Sequence, residues 1–178
     1  MKIRLFGVVN DSIVDGPGLR YVVFTQGCLH HCEGCHNPLS HDIHGGYECE
    51  IIDLLHEIDD NPLLDGITIS GGEPFLQPHA LIELVKEVKK RNLHVMIYSG
   101  YTYQEIMGLD KNCRELLELC DVLVDGRFIV SKKSLTLVYR GSSNQRIIDI
   151  QRSIQTGKII ELMVNQQGEF INGIEIDF

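Results

Sequence analysis

Apolar residues recur along this chain in two rhythms, and the switches between them mark out its elements. Leu19 to Thr25 is a run rich in aromatic and β-branched residues, closed by Gly27, as in a buried strand. Glu50 to Asp59 instead spaces Ile51, Leu54, Leu55 and Ile58 at helical intervals and ends at Asn61-Pro62. Gly66 to Ser70 reads as a short strand stopped by Gly71-Gly72. Pro78 to Arg91, with Leu81, Ile82, Leu84, Val85 and Val88 on one stripe, reads as a helix. Leu93 to Tyr98 is the next strand, ended by Ser99-Gly100. Short helices are expected at Tyr103 to Gly108 and Cys113 to Leu119, then a strand from Asp121 to Val124 before Asp125-Gly126. Towards the end, Leu135 to Arg140 and Ile159 to Val164 read as strands, Gln145 to Ile154 as a helix, and Gly168 to Ile176 as extended.

Strand and helix alternating at this pace predict parallel βαβ units. Functional loops of such folds lie at the C-terminal ends of the strands, so Gly27-Cys28, Gly71-Gly72-Glu73-Pro74, Ser99-Gly100 and Asp125-Gly126 fall on one rim. The 178 residues are too few for a closed eight-unit barrel, which takes ~250. The expected fold is α/β, a partial and open β/α barrel of about five to six parallel strands, forming one domain over residues 1–178. No repeat, low-complexity tract or linker interrupts it.

The formal net charge of −9 argues against a general nucleic-acid or anionic-membrane surface, both of which need clustered Lys and Arg. No secretory signal and no run of ~20 apolar residues is visible, so the cytoplasm is the expected location. Thiols there stay reduced, and clustered cysteines point to metal rather than to disulfides.

Three of the six cysteines cluster, at Cys28, Cys32 and Cys35, with spacing Cys-x3-Cys-x2-Cys. Thiolates hold iron–sulfur clusters, which usually take four protein ligands. Three ligands on one loop leave one iron open to a small molecule, much as a catalytic metal keeps a vacant position. A structural zinc site, with His30, His31 or His36 as fourth ligand, is the competing reading. Cys49, Cys113 and Cys120 have no metal spacing with the triplet and read as structural.

The triplet resembles the signature of the radical S-adenosylmethionine superfamily. Asp15-Gly16-Pro17-Gly18-Leu19-Arg20, the following His36-Asn37-Pro38 and Gly71-Gly72-Glu73-Pro74 resemble its glycyl-radical-enzyme activases. Asp121 to Phe128 and Tyr139 to Arg146 are similar to the branch serving anaerobic ribonucleoside-triphosphate reductase. Tyr98-Ser99-Gly100 departs from the Asp-Thr-Asn-Gly of the branch serving pyruvate formate-lyase.

The resemblance implies a [4Fe–4S] cluster on Cys28, Cys32 and Cys35, fed by a one-electron donor such as flavodoxin. It implies reductive cleavage of S-adenosylmethionine and removal of a glycine hydrogen from the reductase's glycyl radical subunit. It further implies cofactor contacts from Gly34, Cys35, His36 and Asn37, from Gly71, Gly72 and Glu73, and from Asp125. Activation of another glycyl radical enzyme, a radical enzyme for a small molecule, and a zinc-stabilised binding module remain the alternatives. His30 and His31 read as solvent-facing residues of the triplet loop, and Arg20 is given no catalytic role.

Overall fold

The structure, a computed structural model, describes residues 1–176. Its strands are β1 (Lys2–Ser12), β2 (Arg20–Thr25), β3 (Tyr47–Glu50), β4 (Gly66–Gly71), β5 (His94–Tyr98), β6 (Val122–Asp125), β7 (Arg146–Asp149), β8 (Ile159–Val164) and β9 (Phe170–Ile176). Its α-helices are α1 (Ile51–Asp59), α2 (Pro78–Lys90), α3 (Tyr103–Gly108), α4 (Lys111–Leu119) and α5 (Ile150–Thr156). The strands form one mixed sheet in the order β3-β1-β2-β4-β5-β6-β7-β8-β9.

The sheet's centre is parallel, in the sequence β2, β4, β5, β6. That is four parallel strands, fewer than the five to six expected. From β6 onward the pairing is antiparallel, because the long excursion from Gly126 to Gln145 brings the chain back at the rim it left. At the other side β1 pairs antiparallel with both β2 and β3.

Each strand of the parallel centre is buried on both faces, as a sheet with two covered faces requires. On one face α1, α2, α3, α4 and α5 contribute to the main core, with Leu54, Leu81, Leu84, Ile106, Leu116 and Ile150 packed on Val23, Ile69 and Ile97. The other face carries a smaller cluster of Met96, Val122, Val124 and Ile147, with Tyr98 and Tyr139 beside it. Phe24, Ser70 and Tyr98 point to this second face, at the C-terminal ends of β2, β4 and β5. Helix starts follow local capping chemistry: Thr102 and Glu105 form a capping box for α3, and Asp110 and Asp149 cap α4 and α5.

Two expectations for the second half are corrected. Leu135 to Arg140 is not a strand: Leu135 is 93% exposed, Tyr139 has a positive φ of 59°, and only a single bridge joins Lys133 to Ser142. Residues 146–149, expected as helix, form β7, and α5 starts only at Ile150. The reason is packing: Ile148 enters the main core and Ile147 the opposite cluster, so neighbours point to opposite faces as in a strand.

Candidate metal centre and adjoining cleft

The cysteine loop leaves β2 at Gln26 and is pinned at its base by backbone bonds. Gly27 N–H donates to Ser40 O at 2.8 Å, Cys28 N–H to His41 O at 3.1 Å, and Glu73 N–H to Gly27 O at 2.7 Å. Gln26 adds its side-chain amide to the carbonyls of Leu39 and Asp42. Cys28, Cys32 and Cys35 are all free thiols. They open onto one cavity of about 130 Å³, shared with Gly71, Gly72, Ser99 and Gly100.

Burial pushes the Cys28 thiol up, while backbone N–H groups of His30 and His31 act against it by bonding the sulfur. Asn37 N–H likewise donates to Cys35 Sγ at 3.4 Å. Amides aimed at sulfur favour the thiolate, the form that binds metal.

The donor set therefore fits an iron–sulfur cluster: three thiols of one loop around one cavity, with N–H groups turned to the sulfurs. The zinc alternative needs a fourth donor, about 2.0–2.3 Å from a point shared with the three thiols. The three candidate histidines have other neighbours: His30 bonds Glu73 at 2.8 Å, His31 stacks edge-on to His41, and His36 leans on Phe128 at 4.9 Å.

A second lobe of about 430 Å³ adjoins the thiol cavity, and both are lined by Cys35, Ser70, Gly71, Tyr98, Phe128 and Gln145. His36, Asn37, Asp15 and Arg140 line this larger lobe alone. Gln145 shapes its wall by accepting from Gly141 N–H and Ser142 N–H at 2.8 and 3.1 Å and donating to Gly126 O at 2.9 Å. The loop carrying Asp15 is braced from below. Thr68 Oγ1 donates to Asp15 O at 2.8 Å, and the fully buried Arg20 donates to Thr68 Oγ1 and Pro17 O. Gly16 is small because Arg20 lies beneath it: a Cβ there would come within 2.8 Å of Arg20 Cδ.

The sequence-predicted site residues divide into two groups. Cys28, Cys32, Cys35, His36, Asn37, Gly71 and Gly72 line the two lobes. Gly34, Glu73 and Asp125 line neither lobe. Gly34 sits under Val130 and Phe128. Glu73 is 1% exposed and its carboxylate is taken up by four donors of the chain. Asp125 is equally buried, bonded by Tyr103 N–H at 2.8 Å and by Arg146 through both oxygens. The glycine pair does more than border a cavity. A Cβ on Gly72 would lie 2.2 Å from Gly27 O, and one on Gly71, whose φ is +99°, 2.5 Å from Thr25 N. Only glycine lets the two loops touch backbone to backbone.

Sequence reasoning missed Phe24, Tyr98, Phe128, Arg140 and Gln145 as cleft residues and took His30 for solvent-facing. The His30 side chain is 6% exposed. For Arg140 and Gln145 the signal was present in the Tyr139 to Arg146 segment, without any hint of the wall it forms. Cys113 and Cys120 are buried in the main core, as expected.

Residues 14–148 match a family described as a 4Fe-4S single cluster domain. The anaerobic ribonucleoside-triphosphate reductase-activating protein of Haemophilus influenzae is 34% identical over 144 residues, 76% of this chain and 91% of that protein. Its Vibrio cholerae counterpart is 36% identical over 149 residues, with the same coverage. The chain belongs to the radical S-adenosylmethionine superfamily, in the family of anaerobic ribonucleoside-triphosphate reductase-activating proteins. It is thus of an oxidoreductase, iron–sulfur family concerned with glycyl radical activation. A pyruvate formate-lyase-activating enzyme of Staphylococcus epidermidis is also 34% identical over 166 residues, 89% of this chain and 65% of that enzyme. Among solved structures, QueE from Escherichia coli has a TM-score of 0.45 at 17% identity, over 57% of this chain and 54% of that one, a likeness too loose to bear on the site. Among the described residues no helix is long and apolar enough to cross a membrane.

Proposed function

We propose that this chain activates anaerobic ribonucleoside-triphosphate reductase in the cytoplasm, using a [4Fe–4S] cluster and S-adenosylmethionine. The observation that carries the proposal is the shared wall: Cys35 and Gly71 border both the thiol cavity and the larger lobe beside it. A cluster held on one side and a nucleoside-sized cofactor on the other would meet there.

In this reading Cys28, Cys32 and Cys35 hold the cluster and leave one iron without a protein ligand. Together the bound cluster and cofactor supply reductive carbon–sulfur cleavage, with the electron from a donor such as flavodoxin. Everything else falls to the chain. Gly71 and Gly72 keep backbone carbonyls close to the thiol cavity, where an ammonium group can be accepted. His36 and Asn37 border the lobe on the side assigned to the adenosine portion. Phe24, Tyr98, Phe128 and Tyr139 give that lobe an aromatic lining on which a ring can pack. Glu73 and Asp125, each already bonded within the fold, position loops rather than reach the cofactor. A glycine on a loop of the reductase suits such a site because it brings no side chain.

The test is electron paramagnetic resonance of the reductase after anaerobic mixing with this protein, S-adenosylmethionine and a reductant. The proposal expects a glycyl radical doublet on the reductase and none on pyruvate formate-lyase treated alike. A doublet on the lyase alone would reassign the partner.

A further inference from the structure

We infer that His30 and Glu73 form a buried clamp that locks the cysteine loop to the loop after β5, making His30 a positioning residue for the metal centre. The inference rests on the cluster reading above and adds a residue to it. His30 lies between Cys28 and Cys32, yet its imidazole is turned inward, 6% exposed, with Nε2–H donating to Glu73 Oε2 at 2.8 Å. The ring lies so close over Gly100 that a Cβ there would stand 2.3 Å from His30 Cδ2. Tyr101 closes the other side edge-on, with ring centroids 4.4 Å apart.

Glu73 is what makes this contact count. An ionised carboxylate offers about four acceptor sites, and the fold meets that number. Phe75 N–H donates to Oε1 at 3.1 Å, Ser99 Oγ–H at 2.9 Å, Gly100 N–H to Oε2 at 2.9 Å, and His30 completes the set. The donors come from three loops: the one after β4, the one after β5, and the cysteine loop. Removing one leaves a buried charge short of a partner, a cost carried by the other two loops as well. The cysteine loop and the Ser99-Gly100 loop are therefore held in one register, and neither shifts alone. A metal centre between them needs that, since small misplacements of reacting groups are expensive.

Hydrogen–deuterium exchange on the metal-free full chain tests the clamp without any cluster. His30→Ala is expected to speed amide exchange roughly tenfold or more, both over residues 28–35 and over residues 99–103, with α2 unchanged. His30→Gln, whose amide can still donate to Glu73, is expected to restore most of the protection. Unchanged exchange in His30→Ala, a uniform rise through α2, or no rescue by glutamine would overturn the clamp. Should His30→Ala not fold, Ser99→Ala decides: a rise at both segments supports coupling, and a rise at 99–103 alone refutes it. Wild-type protein that fails to assemble a cluster would count against the cluster reading and leave these exchange results standing.

Discussion

At the residue scale the least ordinary group is Arg20, a fully buried guanidinium with no carboxylate partner among the described residues. Burial lowers its pKa to about 10, so it keeps its charge near neutral pH, solvated by carbonyls and the Thr68 hydroxyl. Its Nη2 also faces His94 Nδ1 at 3.2 Å, which requires that ring nitrogen to be unprotonated. Burial first, and Arg20 second, hold the His94 pKa down to about 4. Below the ordinary histidine value the unfolded chain therefore binds a proton that the fold does not. The stability so contributed is complete above pH 6.5 and is lost as pH falls towards about 4, by on the order of 1–3 kcal/mol. Urea midpoints at about pH 7 and pH 5 should diverge more for the parent than for His94→Asn. An equal pH dependence in both would contradict this account. Nothing in the local sequence around His94 announces the pair, because Arg20 is 74 residues away.

At the element scale, two junctions decide whether the site forms. The loop after β4 touches the cysteine loop at Gly72 and Gly27, where a Cβ on Gly72 would lie 2.2 Å from Gly27 O. Gly72→Ala is expected to destabilise the protein by about 1–3 kcal/mol, as overpacking does, and to lower iron retention. Calorimetry with iron analysis checks both, and a stable, fully loaded variant would show that the loops can part. The second junction joins β6 to β7 through Asp125 and Arg146. Arg146→Met strands a buried carboxylate and should cost about 3 kcal/mol, read from urea unfolding; a loss under about 1 kcal/mol would mean that Tyr103 N–H suffices.

Elements with an uninterrupted pattern of their own were legible in the sequence: β2, β4, β5 and β6, and α1 to α4 to within two residues. β1 was not read, although Ile3 and Leu5 are buried between the more exposed Lys2 and Arg4. Its alternation is short and mixed with charges. β7 was read as helix because Ile147, Ile150 and Ile154 mimic a helical stripe, and only the two-faced packing of Ile147 and Ile148 shows otherwise. The thiols were legible because their spacing is local. The roles of His30 and Glu73 were not, since they arise from loops brought together by β2, β4 and β5.

At the scale of the whole molecule, the sheet divides the labour between its faces. Helices cover one face and supply the large apolar core; the other face carries the smaller cluster, the buried Arg20 and the cleft. All four rim loops reach the thiol cavity, at Cys28, Gly71, Ser99 and Gly126. The central claim is that the cysteines hold a cluster with one iron open to S-adenosylmethionine. Electron paramagnetic resonance of the anaerobically reconstituted, reduced protein tests it most directly, with and without the cofactor. The account predicts a [4Fe–4S] signal that changes when S-adenosylmethionine is added and is absent in Cys32→Ala. A signal indifferent to the cofactor, or a colourless protein that binds only zinc, would contradict it.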